Sequence, residues 1–309
     1  MEVIRDIADF PQLSYPVVTS GTFDGVHVGH QKILQRVIER ARQSNGQSVV
    51  ITYWPHPRLV LFPEDNDLKL LSTIDERIEQ LRTFGIDYLL IIPFTKEFSR
   101  TSSRSFITDI LVKALHTKVL VIGYDHRFGK NREGSFEHLM AHSSKYGFEV
   151  EEIPREDVDD VGVSSTKIRK ALESGDLETA TSYLGRYYTL TSVVEEGKKL
   201  GRTIGYPTAN LAIPYKHKLI PANGVYAVWA TLNGERYPGM MNIGMRPTVD
   251  GTHLTLEVHL LNFNKGIYGQ TMTVSFVAHL RDEQKFSGLD ELKAQLAKDK
   301  EASEKMLEL

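Results

Sequence analysis

Residues 21–31 read Gly-Thr-Phe-Asp-Gly-Val-His-Val-Gly-His-Gln, directly after the apolar run Tyr15–Val18, and nothing else in the 309-residue chain constrains its fold as tightly. An apolar run, a glycine-rich turn and then a helical pattern from His30 to Ser44 predict a strand-to-helix junction. Glycines at 21, 25 and 29 let the backbone approach a phosphate closely, and a helix N-terminus favours negative charge there. His27 and His30 add two imidazoles on one side of that turn. The arrangement points to attack on a nucleotide α-phosphate, against the plainer reading of a tight turn carrying two surface histidines.

Up to about residue 155 short apolar runs alternate with helical patterns. Strands are expected at Tyr15–Thr19, Ser48–Tyr53, Tyr88–Ile92, Val119–Ile122 and Glu149–Ile153, with helices near His30–Ser44, Thr73–Phe84, Ser103–Leu115 and Ser135–Tyr146. Thr73-Ile-Asp-Glu76 is a capping-box pattern, and Gly46, Gly85 and Gly147 fall where helices should stop. This alternation predicts an α/β fold with a doubly wound, Rossmann-like parallel sheet. Ligands of such sheets collect at the carboxyl ends of strands, which is where Gly21–His30 falls.

Two short helices, Ser165–Glu173 and Asp176–Tyr183, are expected next, with Gly175 and Gly185 as stops. Beyond Gly185 the pattern changes to short runs (Tyr188–Val194, Gly224–Thr231, Leu254–Leu261, Met272–Leu280) separated by turn sequences including Asn223-Gly224 and Asn233-Gly234. Asn-Gly between apolar runs is a strong hairpin signal. Leu289, Leu292 and Leu296 predict a helix stripe ahead of a charged tail. The expectation is two domains, 1–185 and 186–309, the second a small antiparallel β-barrel with a C-terminal helix.

Three further segments of the first half carry candidate chemistry. Tyr53-Trp-Pro-His-Pro-Arg58 ends a strand with two prolines that stiffen its exit. Gly123-Tyr-Asp-His-Arg-Phe-Gly129 leaves another strand and runs into Lys130, Asn131 and Arg132; its plainer reading is a solvated basic loop. In Val163-Ser-Ser-Thr-Lys-Ile-Arg169, hydroxyls and cations crowd one helix N-terminus, where the dipole prefers an anion. That crowding makes sense if a phosphate sits among them.

In the second half, Gly201-Arg-Thr-Ile-Gly-Tyr-Pro-Thr-Ala-Asn-Leu211 has too many turn formers for a strand. Thr208 and Asn210 offer short neutral oxygens suited to a partly hydrated magnesium shared with phosphates. Residues 254–260 alternate, putting Leu254, Leu256, Val258 and Leu260 on one face and Thr255, Glu257 and His259 on the other. Glu257 is either a solvated strand residue or, next to a nucleotide–metal site, a general base.

Other chemistries are excluded by composition. The chain has no cysteine, which removes disulfides, thiolate nucleophiles and cysteine-ligated clusters and fits an intracellular protein. Its net charge of −3 supplies no global basic field to recruit nucleic acid or anionic membrane. The N-terminus lacks the basic-then-apolar pattern of a signal peptide, and no apolar run approaches a membrane span of about 20 residues. A soluble, cytoplasmic protein is expected, with no reading of its oligomeric state.

Taken together and in this order, Gly21-Thr-Phe-Asp-Gly-Val-His-Val-Gly-His30, Val163-Ser-Ser-Thr-Lys-Ile-Arg169 and Gly205-Tyr-Pro-Thr-Ala-Asn-Leu211 resemble the bifunctional bacterial riboflavin kinase/FAD synthetase family over nearly the whole chain. The resemblance implies a nucleotidyltransferase-like first domain that adenylylates FMN with ATP, giving FAD and pyrophosphate. The second domain would phosphorylate riboflavin to FMN with magnesium–ATP. By motif, His27 and His30 would stabilise adenylyl transfer, with Gly21, Phe23, Asp24, Gly25, Gly29, Ser164, Ser165, Thr166 and Arg169 around the ATP phosphates. Gly205, Thr208 and Asn210 would serve the kinase nucleotide, Thr208 and Asn210 also the Mg2+, and Glu257 would take the proton of the ribityl 5′-hydroxyl. Asp125, Arg127, Asn131 and Arg246 would contact flavin; His126, Asn262 and Asn264 depart from the residues the family commonly carries there. Two other functions remain: a nucleotidyltransferase for another small phosphate acceptor, and a flavin-sensing protein without turnover. Phosphorylation of riboflavin separates the first from the flavin enzyme, and the sensor has no use for a base at Glu257.

Overall fold

The computed structural model describes residues 1–309 except 65–66, 125–126, 131–132, 135–138, 141–144, 154–161, 198–199, 214 and 249–250; for 200, 247–248 and 251–252 only the backbone is described. It divides into two compact units, Met1–Ser165 and Thr166–Leu309.

The first unit is a six-stranded parallel sheet in the order β1-β4-β3-β2-β5-β6, with β1 Glu2–Ile4, β2 Pro16–Ser20, β3 Gln47–Trp54, β4 Tyr88–Pro93, β5 Val119–Gly123 and β6 Glu149–Ile153. Short β1, which the sequence pattern did not signal, adds an edge by pairing Glu2–Ile4 with Tyr88–Leu90. The four central strands, β2 to β5, are buried along most of their length because helices cover both sides, whereas edge strand β6 carries Glu149, Glu151 and Glu152. Val18, Val49, Ile51, Leu90, Leu120 and Ile122 pack under Phe106, Ile107 and Leu111. On the opposite face Val50, Leu89 and Ile91 pack with Leu34, Ile78 and Leu81, and Val17, Val119 and Val121 with Val37 and Ala41.

Those helices are α1 Val28–Gln43, α2 Pro57–Leu61, α3 Ile74–Thr83 and α4, which is Ser103–Ser105 continuing as Phe106–Ala114. The capping box forms as expected: Thr73 N–H donates to Glu76 Oε2 (2.9 Å) and Glu76 N–H to Thr73 Oγ1 (3.2 Å). Helix α4 is wider than its sequence predicts, closing i→i+5 bonds such as Leu115 N–H to Ile110 O (3.0 Å). In that geometry, pairs spaced by four (Phe106/Ile110, Ile107/Leu111) line one buried face. The helix expected over Ser135–Tyr146 falls mostly outside the described residues.

Strands β3 and β4 succeed β2 on one side, whereas β5 and β6 lie on the other. The winding therefore reverses between β2 and β5. The turn after Ser20 and the segment after Gly123 leave the carboxyl ends of these adjacent strands, the crevice where such sheets bind ligands.

The second unit is a closed barrel, β10-β11-β8-β7-β12-β9, preceded by α5 Ser165–Glu173 and α6 Leu177–Leu184 and followed by α8 Leu289–Met306. Its strands are β7 Tyr188–Glu195, β8 Ala209–Leu211, β9 Gly224–Leu232, β10 Glu235–Thr248, β11 Gly251–Leu260 and β12 Thr271–Arg281, with short α7 at Leu200–Thr203. Three sequence expectations change here. Residues 209–211, read as turn, form β8, because they pair with both β7 and β11 and need only three residues to do so. Fourteen-residue β10 was not foreseen, since Pro238, Gly239, Gly244 and Pro247 interrupt its apolar pattern; pairing with β9 and β11 on its two edges holds it. Asn233-Gly234 does make the β9–β10 hairpin, with φ of 50° and 85°. Asn223-Gly224 does not: Gly224, at φ 152°, opens β9, and a Cβ there would lie 2.3 Å from His279 Nε2.

The C-terminal helix also differs from its predicted stripe. Leu289 is 63% exposed, Leu292 and Leu296 are half-buried, and the most buried members are Asp299 and Ser303. Asp299 takes a two-pronged bond from Arg281 on β12 (Nε–Oδ1 2.9 Å, Nη2–Oδ2 2.7 Å) and one from Gln295 (2.8 Å). An ion pair, rather than leucines alone, fastens this helix to the barrel. Helix α6 packs on β7 and β12, and Ala222 N–H donates to Leu172 O of α5 (3.0 Å), so both short helices belong with the barrel.

Candidate active sites

In the first unit the turn after β2 is built by buried polar contacts. Gly21 N–H continues the sheet by donating to Ile51 O (3.0 Å), and Phe23, Gly25 and Val26 all take positive φ. A Cβ on Gly25 would come within 2.7 Å of Leu71, so this glycine answers both to its conformation and to its crowding. Asp24 is 1% exposed, and its carboxylate accepts from Leu71 N–H (3.1 Å), Ser72 N–H (3.0 Å) and Ser72 Oγ (3.2 Å). In this arrangement Asp24 holds the turn's shape. Ser165 Oγ donates to the Asp24 carbonyl (3.0 Å), tying Ser165 to the same turn.

His27 is the N-cap of α1: its Nδ1 accepts from His30 N–H (3.3 Å). In the neutral tautomer its hydrogen therefore sits on Nε2. The His27 and His30 rings stack at 3.6 Å, and Phe23 packs edge-on against His30 at 5.1 Å. Gly29 is buried in the first turn of α1. Burial pushes the His30 pKa well below that of free histidine, and the nearby His27 and Arg77 charges push it the same way, so His30 is neutral at physiological pH.

Arg77 was not foreseen. It is wholly buried on α3, donates to Thr52 Oγ1 (3.1 Å) and Tyr53 O (3.4 Å), and lies 3.9 Å from Asp24. Its signal was present: Ile74, Arg77, Ile78 and Leu81 share the i, i+3, i+4, i+7 phase of a core-facing helix, which a surface arginine would avoid. His56 caps α2, its Nδ1 accepting from Arg58 N–H (3.2 Å). Of the residues assigned to flavin in this unit, Arg127 is exposed, while Asp125 and Asn131 lie outside the described residues.

In the second unit, β8 brings its residues beside β11. Asn210 is paired with Glu257 and Ala209 with Val258, while Asn242 of β10 faces Glu257 from the other side. Leu256, Val258 and Leu260 point into the barrel, leaving Thr255, Glu257 and His259 on its half-buried outer face, as the alternation predicts. Glu257 is 14% exposed and its Oε1 lies 2.5 Å from Arg246 Nη2. Thr208 and Asn210 are half-buried, and Gly205 turns at φ 87° just ahead of them. A Cβ on Gly197 would strike the Asn210 amide at 1.9 Å, and one on Gly201 the Tyr206 carbonyl at 2.2 Å, so two glycines make room for this segment. Thr166 and Arg169 lie in α5, Thr166 exposed and Arg169 half-buried.

Two family models cover these halves: FAD synthetase over residues 10–167 and riboflavin kinase over 184–307. A bifunctional riboflavin kinase/FMN adenylyltransferase of Escherichia coli strain K12 is 41% identical over 97% of this chain and 96% of its own. The chain belongs to the bifunctional riboflavin kinase/FMN adenylyltransferase family.

The Haemophilus influenzae member of that family is 39% identical over 98% of both chains. A solved structure described as a macrolide-efflux protein from Streptococcus pneumoniae superposes with a TM-score of 0.88 at 32% identity, covering 98% of each chain. Among the described residues no helix is long and apolar enough to cross a membrane. The FAD synthetase match holds the His27/His30 turn, and the riboflavin kinase match holds Thr208, Asn210 and Glu257.

Proposed function

We infer that this chain makes both flavin cofactors, phosphorylating riboflavin to FMN with ATP and adenylylating FMN with ATP to FAD and pyrophosphate. Membership of the bifunctional family over nearly its full length carries this reading.

For adenylyl transfer, a phosphate oxygen of FMN attacks the α-phosphorus of ATP while the bond to the bridging oxygen breaks and pyrophosphate leaves. Charge grows on the α-phosphoryl oxygens. His27 offers Nε2–H to that charge from the helix N-terminus, and neutral His30, stacked on it, is a second donor. The backbone of Gly21–Gly29 lines the phosphates, with Ser164, Ser165, Thr166 and Arg169 as further phosphate ligands. Asp24 acts from beneath, through the shape it imposes on the turn. Asp125, Arg127 and Asn131 are assigned to the flavin.

For the kinase step, Glu257 accepts the proton of the ribityl 5′-hydroxyl as that oxygen attacks the γ-phosphorus and ADP departs. Arg246 is assigned to the flavin substrate, and its ion pair with Glu257 orients the carboxylate. Thr208 and Asn210 suit magnesium: they bring a hydroxyl and an amide oxygen, and no cluster of three or more His, Asp or Glu ligands exists among the described residues. A magnesium ion held by Thr208 and Asn210 would supply positive charge to offset that of the phosphates. A cytoplasmic location accords with the ATP and flavin substrates.

Incubation with riboflavin, ATP and magnesium should yield FMN and ADP, then FAD and pyrophosphate, and a chelator should abolish both. Absence of FMN would refute the kinase assignment, and absence of FAD from supplied FMN the adenylyltransferase.

A further inference from the structure

His259 takes no part in the steps above, yet it joins the two sequence segments from which the kinase site is built. Its Nδ1 lies 2.7 Å from the carbonyl oxygen of Pro207, and its ring packs edge-on to Tyr206 at 5.3 Å. A carbonyl can only accept, so His259 supplies the hydrogen from Nδ1. Backbone pairing between β8 and β11 is short: Asn210 with Glu257 and Ala209 with Val258 are its register pairs. Immediately upstream, where Thr208 leaves the strand, the His259 side chain takes over as the attachment to β11. The segment needs it, because Pro207 has no N–H to lend to a ladder. Residues 204–207 leave the short helix α7 as a turn around Gly205, with Tyr206 N–H donating back to Gly201 O (2.9 Å) and no strand pairing of their own.

We propose that His259 is a positioning residue of the kinase site, pinning the Pro207 carbonyl so that Thr208 and Asn210 are held in register with Glu257. The proposal rests on the reading of Thr208 and Asn210 as ligands of the ATP phosphates and their cation. Two groups on one β-strand, Glu257 at the acceptor side and His259 at the nucleotide side, then set the spacing between base and nucleotide through the rigid backbone between them.

The test uses the full chain and steady-state kinetics for riboflavin and magnesium–ATP, with conversion of added FMN to FAD as an internal control. His259→Ala should raise the KM for ATP about 10-fold, the weight of one well-formed hydrogen bond, with the KM for riboflavin unchanged. His259→Asn, whose amide Nδ2 stands close to where Nδ1 was, should recover most of the loss. Loss of kcat in proportion to unfolded protein, with the KM for ATP unchanged, would reduce His259 to a packing residue and overturn the proposal. So would an Asn variant no better than Ala while equally folded by circular dichroism. Thr208→Ala separates the two layers: if it leaves the KM for ATP untouched, the assignment of Thr208 fails and the proposal falls with it. If Thr208→Ala raises that KM and His259→Ala does not, only the proposal falls.

Discussion

Arg246 on β10 and Glu257 on β11 are joined Nη2 to Oε1 at 2.5 Å across two antiparallel strands, the arginine 47% exposed and the carboxylate 14%. The pair unites a residue assigned to flavin with the residue assigned as base. It holds the carboxylate in one orientation, while one face of the arginine stays open to solvent. A pair this exposed contributes little to stability, about 0–1 kcal/mol. Its value is geometric.

Glu257→Gln keeps size and hydrogen bonding but cannot accept the hydroxyl proton. Kinase turnover should fall by roughly 100- to 10,000-fold while added FMN is still converted to FAD. Measuring the two activities on one preparation checks this, and near-normal kinase rates would return Glu257 to a solvated strand residue.

His27→Ala or His30→Ala should do the reverse, lowering FAD formation by about 100-fold or more, the effect of losing one preorganised donor. FMN formation should stay nearly intact. Equal loss of both activities would instead point to misfolding.

The depressed pKa of His30 gives stability a definite pH dependence. A histidine whose folded pKa lies below its unfolded value takes up a proton more readily when unfolded, so its contribution is present above about pH 6.5 and is lost as pH falls below it. Thermal unfolding followed from pH 8 to 5.5 should show wild type losing more than His30→Gln. Parallel curves would show that other groups dominate the slope.

Asp299→Ala leaves partly buried Arg281 without its carboxylate partner, and should cost about 3 kcal/mol. For a unit of this size that is a drop of roughly 6–12 °C in the barrel's unfolding temperature, readable by calorimetry. An unchanged transition would mean that the apolar contacts of α8 suffice.

A fragment spanning residues 166–309 should fold and convert riboflavin to FMN. One beginning at Tyr187 keeps Thr208, Asn210 and Glu257 but lacks Leu172, which accepts from Ala222, and α6, which covers β7 and β12. It should unfold at lower temperature. If the shorter fragment were equally stable and active, the change of sequence pattern at Gly185 would mark the working boundary.

Local physics made much of this legible from the sequence alone. Period-two and period-3.6 apolar patterns, the Thr73–Glu76 box, the Asn233-Gly234 turn and the turn chemistry at Gly21–His30 act over a few residues, so each is written where it operates. The alternation at 254–260 likewise fixed which face Glu257 takes. The tertiary structure decided whatever depends on partners distant in sequence. It made Asp24 a buried brace through Leu71 and Ser72, and Arg77 a buried cation beneath the histidines. It turned 209–211 into a strand through two flanking edges, and it packed α8 by an ion pair to Arg281. A buried polar group must find its partner wherever the fold brings one, and no pattern along the chain records that meeting.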